Sequence, residues 1–487
     1  MTGKALASSL VLASIVACGG ASAPAPQPPR AAQAWPGAPV AQPSGVVGEY
    51  AVRFDGAQLF VQARFDASAG AAFYVDRSAD DFVFDVEAAP DRDGAAFERV
   101  AHHGRAFEAS ACGAGACRVR YRYDLRAAAR ELDELDSATD EAGVLEAPPS
   151  TWLLAPTAPP KDALVRFRVT TTEPNRFVTG VFKSKVAPDA WDITLDDLWT
   201  SPYTAFGKLR VREVQAKDAK IQLAIGAGSL AVTDDQLVQW ASDGARAIAA
   251  YFGRFPMDAA VILVPGRGPW VGSGMTLAGG GGTIFMRVGE TAKWSSFHED
   301  WVLVHEMTHL SFPTAPRGAQ WVEEGLATYV EPFARVRVGL LDEEAAWRGL
   351  AEGLPNGLPG PGDRGLDRTQ TWGRTYWGGA LFWFLADIEI HERTQNRFGI
   401  EDALRGILAE GGNDAVRWSL DKIFATGDRA VGVPVLEELH AKMGTSPHPV
   451  DVAALMTSLG VEEHGGRVQL DAKAPRAAMR RAITYGH

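Results

Sequence analysis

The chain has 487 residues, which exceeds one ordinary domain and calls for two or three. With 46% hydrophobic and 22% charged residues, it is expected to fold for most of its length around a sizeable core, which excludes a wholly disordered protein. The net charge of −12, with no Lys/Arg-rich run, excludes the basic patch that a nucleic-acid partner requires.

At the N-terminus, Lys4 precedes an apolar or small-residue stretch over 5–17 that is too short to span a bilayer as a helix. It ends in Ile15, Val16, Ala17 and Cys18, which resembles the lipobox of bacterial lipoproteins. The resemblance implies a signal peptide over residues 1–18, cut ahead of a lipidated Cys18. An ordinary secretory signal with an incidental Cys is the alternative. Gly19 rather than Asp follows Cys18, so no inner-membrane retention signal of the common enterobacterial kind is present. The expected localisation is the bacterial cell envelope, at the outer membrane, with the membrane engaged through the lipid. Residues 19–46, rich in Ala, Pro and Gln, cannot bury enough apolar surface to fold and read as a linker. Beyond Cys18 only Cys112 and Cys117 remain, flanking a Gly-rich turn. Without a nearby His they do not complete a metal shell, and in an exported protein a disulfide is expected.

Over 47–204, short alternating runs such as 59–65, 82–86 and 165–169 are separated by Gly, Pro and Asp. They predict an N-terminal antiparallel β-sandwich domain, interrupted by an Ala/Glu/Asp-rich surface helix within 125–143. A mixed α+β catalytic domain is predicted over 205–400 and a helical region over 401–487. Thr233 and Gln236 form a capping box ahead of an amphipathic helix, and 261–264 and 283–288 read as strands. A second capping box, Ser296 with Glu299, is predicted to open the helix that carries His305 and His309.

The chemistry concentrates in His305, Glu306, Met307, Thr308 and His309. Positions i and i+4 of a helix share a face, so both imidazoles reach one metal ion. Glu306 points about 100° around the axis, toward the open side of that ion. There a carboxylate can take a proton from water whose pKa a zinc ion lowers to about 7. Zinc needs a third protein ligand. Pro313, Pro316 and Gly318 break the helix, and a new helical stretch then carries Glu323 and Glu324. Ala315 stands where a third His would be required, so the third ligand is a Glu.

Trp321 through Tyr329, following this motif, resembles the gluzincin peptidases, in particular the glycyl aminopeptidase family and, more distantly, the aminopeptidase N type. The resemblance implies a thermolysin-like (gluzincin) catalytic domain, one Zn2+ held by His305, His309 and Glu324, and Glu306 as catalytic base. Glu323 then reads as a solvated or neighbouring carboxylate. The spacing from His309 to Glu324 is shorter than in aminopeptidase N relatives. A second match, Tyr376 ahead of Gly378 and Gly379, implies a phenol that stabilises the tetrahedral oxyanion. Gly274, Met275 and Thr276 fall where the relatives place a substrate-binding element with a Glu that anchors the free amine, and here that position is Thr276. The Gly279 to Gly282 run is read as backbone beside the cleft, and 283–288 as the edge strand that pairs with substrate. No candidate for the PDZ module of glycyl aminopeptidases is found. The function implied is zinc-dependent cleavage of peptide or protein substrates. The alternatives are a zinc hydrolase of another specificity and a non-catalytic, zinc-stabilised surface binding protein.

Overall fold

The computed structural model describes Trp35 and residues 45–487, apart from Arg77, Ala114, Gly465, Gly466 and His487. The predicted signal peptide, Cys18 and nearly all of the predicted linker lie outside the described residues. The chain divides into two units, Met1–Trp35 and Pro36–His487, and every strand and helix of the described residues belongs to the second.

Among the described residues, the N-terminal part is built from three sheets. The largest runs, edge to edge, through Trp191–Thr194, Leu164–Thr171, Val46–Phe54, Leu59–Phe65, Cys117–Tyr123, Val83–Pro90 and Glu98–Arg99. Its alternating strands bury one set of side chains, including Tyr50, Phe65 and Tyr121, in a common core with Trp152. The expectation of a purely antiparallel sandwich needs correction, because Val46–Phe54 pairs in parallel with Leu164–Thr171. Two four-stranded sheets complete this part. The predicted helix within 125–143 is confined to Leu125–Glu131, with one face buried, and the chain returns as the strand Thr139–Glu141. Cys112 and Cys117 are joined by a disulfide.

A five-stranded sheet follows, ordered Arg210–Ala216, Ala219–Ile225, Ala259–Gly266, Gly282–Gly289 and Val271–Ala278. The strand predicted over 283–288 is therefore internal, and Val271–Ala278 is the edge. A tight turn folds that edge strand back antiparallel, pairing Thr276 with Ile284. The glycine run makes this turn and does not line the cleft. A Cβ at Gly279 would lie 2.6 Å from the Thr200 carbonyl, and one at Gly281 2.0 Å from that of Gly180. The turn is thus seated backbone to backbone on the N-terminal β part, where Gly281 also has the positive φ that favours glycine.

Helix Asp234–Phe252 begins at the Thr233–Gln236 capping box and ends at Gly253 in the left-handed conformation. Its Gly244 lets Leu303 and Met307 approach closely, so the motif helix Val302–Leu310 packs against it. The second predicted capping box does not open the motif helix. Ser296 falls inside a separate short helix, Trp294–His298, and Asp300 caps the next one. Its carboxylate accepts from the Val302 and Leu303 amides at 3.0 and 3.1 Å and from the Trp240 indole at 3.2 Å. Burial pushes the Asp300 carboxyl up to about 6, against the pull of those donors. Asp300→Ala is expected to cost about 1–2 kcal/mol of stability, checked by urea unfolding, because it removes the cap of a helix whose first turn is buried.

The remaining described residues are mainly helical, with one short hairpin among them, Val461–His464 with Arg467–Leu470. Helix Gln320–Arg337 crosses Gly379–Thr394 so closely that a Cβ on Gly325 would lie 2.3 Å from the Gly379 backbone. Asp387 is structural here, accepting from the Tyr329 hydroxyl at 2.7 Å and the Ile400 amide at 2.8 Å. No helix among the described residues is long and apolar enough to cross a membrane.

Candidate active site

The motif helix presents His305 and His309 on one face, and the helix from Gln320 returns Glu324 to meet them. Ligand atoms of the three residues all lie within 4.8 Å of one another. His305 Nε2 is 3.3 Å and His309 Nε2 3.7 Å from Glu324 Oε2. Burial disfavours charge on Glu324, yet the hydrogen bonds and charge of the two imidazoles hold its carboxyl well below the usual range. Burial likewise opposes protonation of His309, but the Glu324 carboxylate, with Glu306 and Glu323 nearby, carries it up to about 10. Two imidazole nitrogens and a carboxylate oxygen converging on one point suit a divalent cation such as zinc, with a coordination position left open.

Glu306 is buried at one turn of the same helix, and the edge strand fixes it. The Thr276 hydroxyl donates to Glu306 Oε2 at 2.7 Å. A Cβ on Gly274 would lie 2.5 Å from Glu306 Cγ, so only glycine leaves space for that side chain. Met275, between them, is half-exposed at the cleft. Thr276 thus serves the carboxylate of the motif helix and offers no negative charge to an ammonium.

Tyr376 belongs to a π-helical turn, Gly373–Gly378, that leads into helix Gly379–Thr394. The turn is pinned by Arg374, which pairs with buried Asp363 at 2.8 Å and donates to the Gly357 carbonyl. The Tyr376 ring stacks 6.4 Å from His305, centroid to centroid. Burial, then the Glu324 carboxylate, then Glu306, push the Tyr376 phenol up to about 12, so it remains a proton donor at neutral pH.

A cavity of about 420 Å³ holds His305, Glu306, His309, Glu324 and Tyr376 together with Gly274, Met275 and Thr276. Its far wall carries residues that sequence reasoning missed or underrated. Glu323 is mostly buried and accepts from the Ala315 amide at 3.1 Å, and burial, then Asp414, push its carboxyl up to about 7. Asp414 and Arg417 reach the same cavity because Thr314 pairs with the segment around Val416, and the Thr314 hydroxyl donates to Asp414 at 2.9 Å. No local motif marks Asp414 or Arg417, since the contact joins segments a hundred residues apart. His298 is exposed, and His440 pairs with Asp367 at 3.0 Å; neither joins the ligand group.

No family model matches the chain, and no curated protein matches it. Solved structures do. An aminopeptidase N family protein from Idiomarina loihiensis aligns over 85% of this chain and 78% of its own, at 13% identity and a TM-score of 0.62. An M1 zinc metallopeptidase from Deinococcus radiodurans aligns over 83% of this chain and 94% of its own, at 15% identity and a TM-score of 0.51. A Glu-to-Ala mutant of that Deinococcus protein, bound to a Tyr-Ser-Ala substrate, aligns equally well. The shared feature is the fold, a sheet-rich N-terminal part followed by a helical C-terminal part.

Proposed function

We propose that the chain is a zinc-dependent metallopeptidase of the aminopeptidase-like gluzincin kind, acting on peptide or protein substrates. The observation that carries this reading is the convergence of His305, His309 and Glu324 within 4.8 Å, in one cleft with Glu306 and Tyr376. The fold shared with zinc metallopeptidases supports it, and the Trp321 to Tyr329 motif supports the glycyl aminopeptidase likeness.

His305, His309 and Glu324 would hold one zinc ion, which supplies Lewis acidity to the scissile carbonyl and to the attacking water. Glu306 takes the proton of that water and later delivers it to the departing amine nitrogen, so its carboxylate is restored at the end of the cycle. Thr276 and the bare backbone of Gly274 hold Glu306 in the required rotamer, so the base is in place before substrate arrives. Tyr376 donates a hydrogen bond to the oxygen that gains negative charge as the carbonyl is attacked. Tyr376→Phe is expected to lower kcat about 10²–10³-fold with little change in KM, as read from steady-state kinetics.

Thr276 supports a second reading of the cleavage mode. The hydroxyl is occupied by Glu306, and no carboxylate stands at that position to anchor a free amine, which favours internal cutting. A mixed peptide library incubated with the purified protein tests both. Sequential loss of N-terminal residues supports an aminopeptidase and internal cuts an endopeptidase. No cleavage by the zinc-loaded protein would sink the peptidase reading in favour of a surface binding protein. The apolar N-terminal stretch and Cys18 support an export signal and a lipid tether to the bacterial envelope.

A further inference from the structure

The mechanism makes no use of the buried ion pair between Arg374 and Asp363. We infer that this pair sets where the Tyr376 phenol stands, and so governs the rate of the chemical step and not the binding of substrate. The inference rests on the peptidase reading and adds two positioning residues to it.

Two residues apart in one helical turn, Arg374 and Tyr376 leave it on nearly opposite sides. The phenol enters the metal cleft, whereas neither Arg374 nor Asp363 lines it. The side chains of the pair are 5% and 2% exposed, and neither has another ionic partner among the described residues. The turn has few side chains of its own to hold it. Trp372, just ahead, is 66% exposed, and three of the next seven residues are the glycines Gly373, Gly378 and Gly379. It lies instead backbone to backbone on the preceding segment. A Cβ on Gly357 would stand 2.3 Å from the Trp377 carbonyl carbon, and one on Gly373 2.5 Å from the Asn356 oxygen. Arg374 fastens this contact from the inside, donating to the Gly357 carbonyl while it pairs with Asp363.

Asp363 is a fixed point. Its other oxygen accepts from the Gly365 amide at 2.8 Å. The chain just beyond is bonded elsewhere, with the Leu366 and Asp367 amides donating to the carbonyls of Met443 and Gly444, both at 2.9 Å. The Asp367 carboxylate also accepts from the Trp321 indole at 3.0 Å, on the helix that carries Glu324. Through Asp363 the phenol is therefore referred to the framework that holds the carboxylate of the metal site. Charge makes the link, because removing either partner leaves the other buried and uncompensated.

The test is a double-mutant cycle on the zinc-loaded protein. Asp363→Asn keeps the volume but turns a donor toward Arg374. It is expected to lower kcat about 10–100-fold, with KM within about twofold and zinc content unchanged. In a Tyr376→Phe background the same change is expected to cost no more than about twofold, because the group it acts through is gone. Arg374→Lys keeps the charge and loses the fork that reaches both partners, and gives a second, milder cycle with the same pattern. Equal losses in the two backgrounds, a loss confined to KM, or full activity of Asp363→Asn overturns the inference. Fluorine NMR of fluorotyrosine-labelled protein supplies a readout apart from activity, with the Tyr376 signal assigned by its absence from Tyr376→Phe. Asp363→Asn is expected to shift or broaden that signal and to leave most other tyrosine signals in place. If it moves in a protein that cleaves no peptide, the pair still positions Tyr376 and only the peptidase reading is lost. If it stays in place, the inference falls whatever the kinetics.

Discussion

Glu306→Gln is expected to leave the zinc content of the protein unchanged and to lower kcat by about 10²–10⁴-fold, the usual contribution of a positioned general acid–base. The amide occupies the volume of the carboxylate, so the contact with Gly274 persists and the Thr276 hydroxyl retains an oxygen to donate to. What is lost is the ability to accept a proton from water and return it to the leaving nitrogen. Metal analysis beside steady-state kinetics separates this from damage to the site. Normal turnover in a zinc-loaded Glu306→Gln protein would remove Glu306 from the mechanism and with it the reading of the cleft.

The second large effect belongs to Glu324. Glu324→Ala leaves two imidazoles without the carboxylate that both approach within 4 Å. Zinc affinity is expected to fall by more than the ~10–100-fold typical for loss of a residue merely supporting a ligand, and activity to disappear with the metal. Plasma emission analysis of the dialysed protein reads the first result. Activity of the unsubstituted protein should vanish with a chelator and return with added zinc. The pH dependence has a definite sign. Metal must displace the proton that the carboxylates hold on His309 up to about 10, so affinity rises with pH and weakens as the solution is acidified.

The candidate site was more legible than the sheet that supports it. The grouping of His305 with His309 follows from helical spacing, a local rule that needs no tertiary information. Glu324 was legible through a motif, and the helix crossing at Gly325 shows what its glycine is for. The edge strand was misplaced because Gly272, Ser273 and Gly274 carry little strand propensity, while the apolar run 283–288 has the signature of a buried strand, which it is. Ser296 satisfies the local capping pattern, but the chain breaks between two short helices there, and that break, which no local pattern marks, gives the cap of the motif helix to Asp300. The parallel pair in the N-terminal sheet, and the approach of Asp414 to the cleft, join segments about a hundred residues apart, and no local period encodes them.

The contact between Gly325 and Gly379 has a consequence for how firmly the site keeps its shape. Glu324 precedes the first of these glycines, and Tyr376 lies one turn ahead of the second. The separation of the Glu324 carboxylate and the Tyr376 phenol is therefore gauged by two peptide backbones in direct contact, with no side chain acting as a spacer between them. Rotamer exchange in the surrounding core, or a conservative swap of one apolar residue for another, has no lever on that dimension. A single added methyl group at either glycine would alter it at once, moving the carboxylate and the phenol apart in the same stroke.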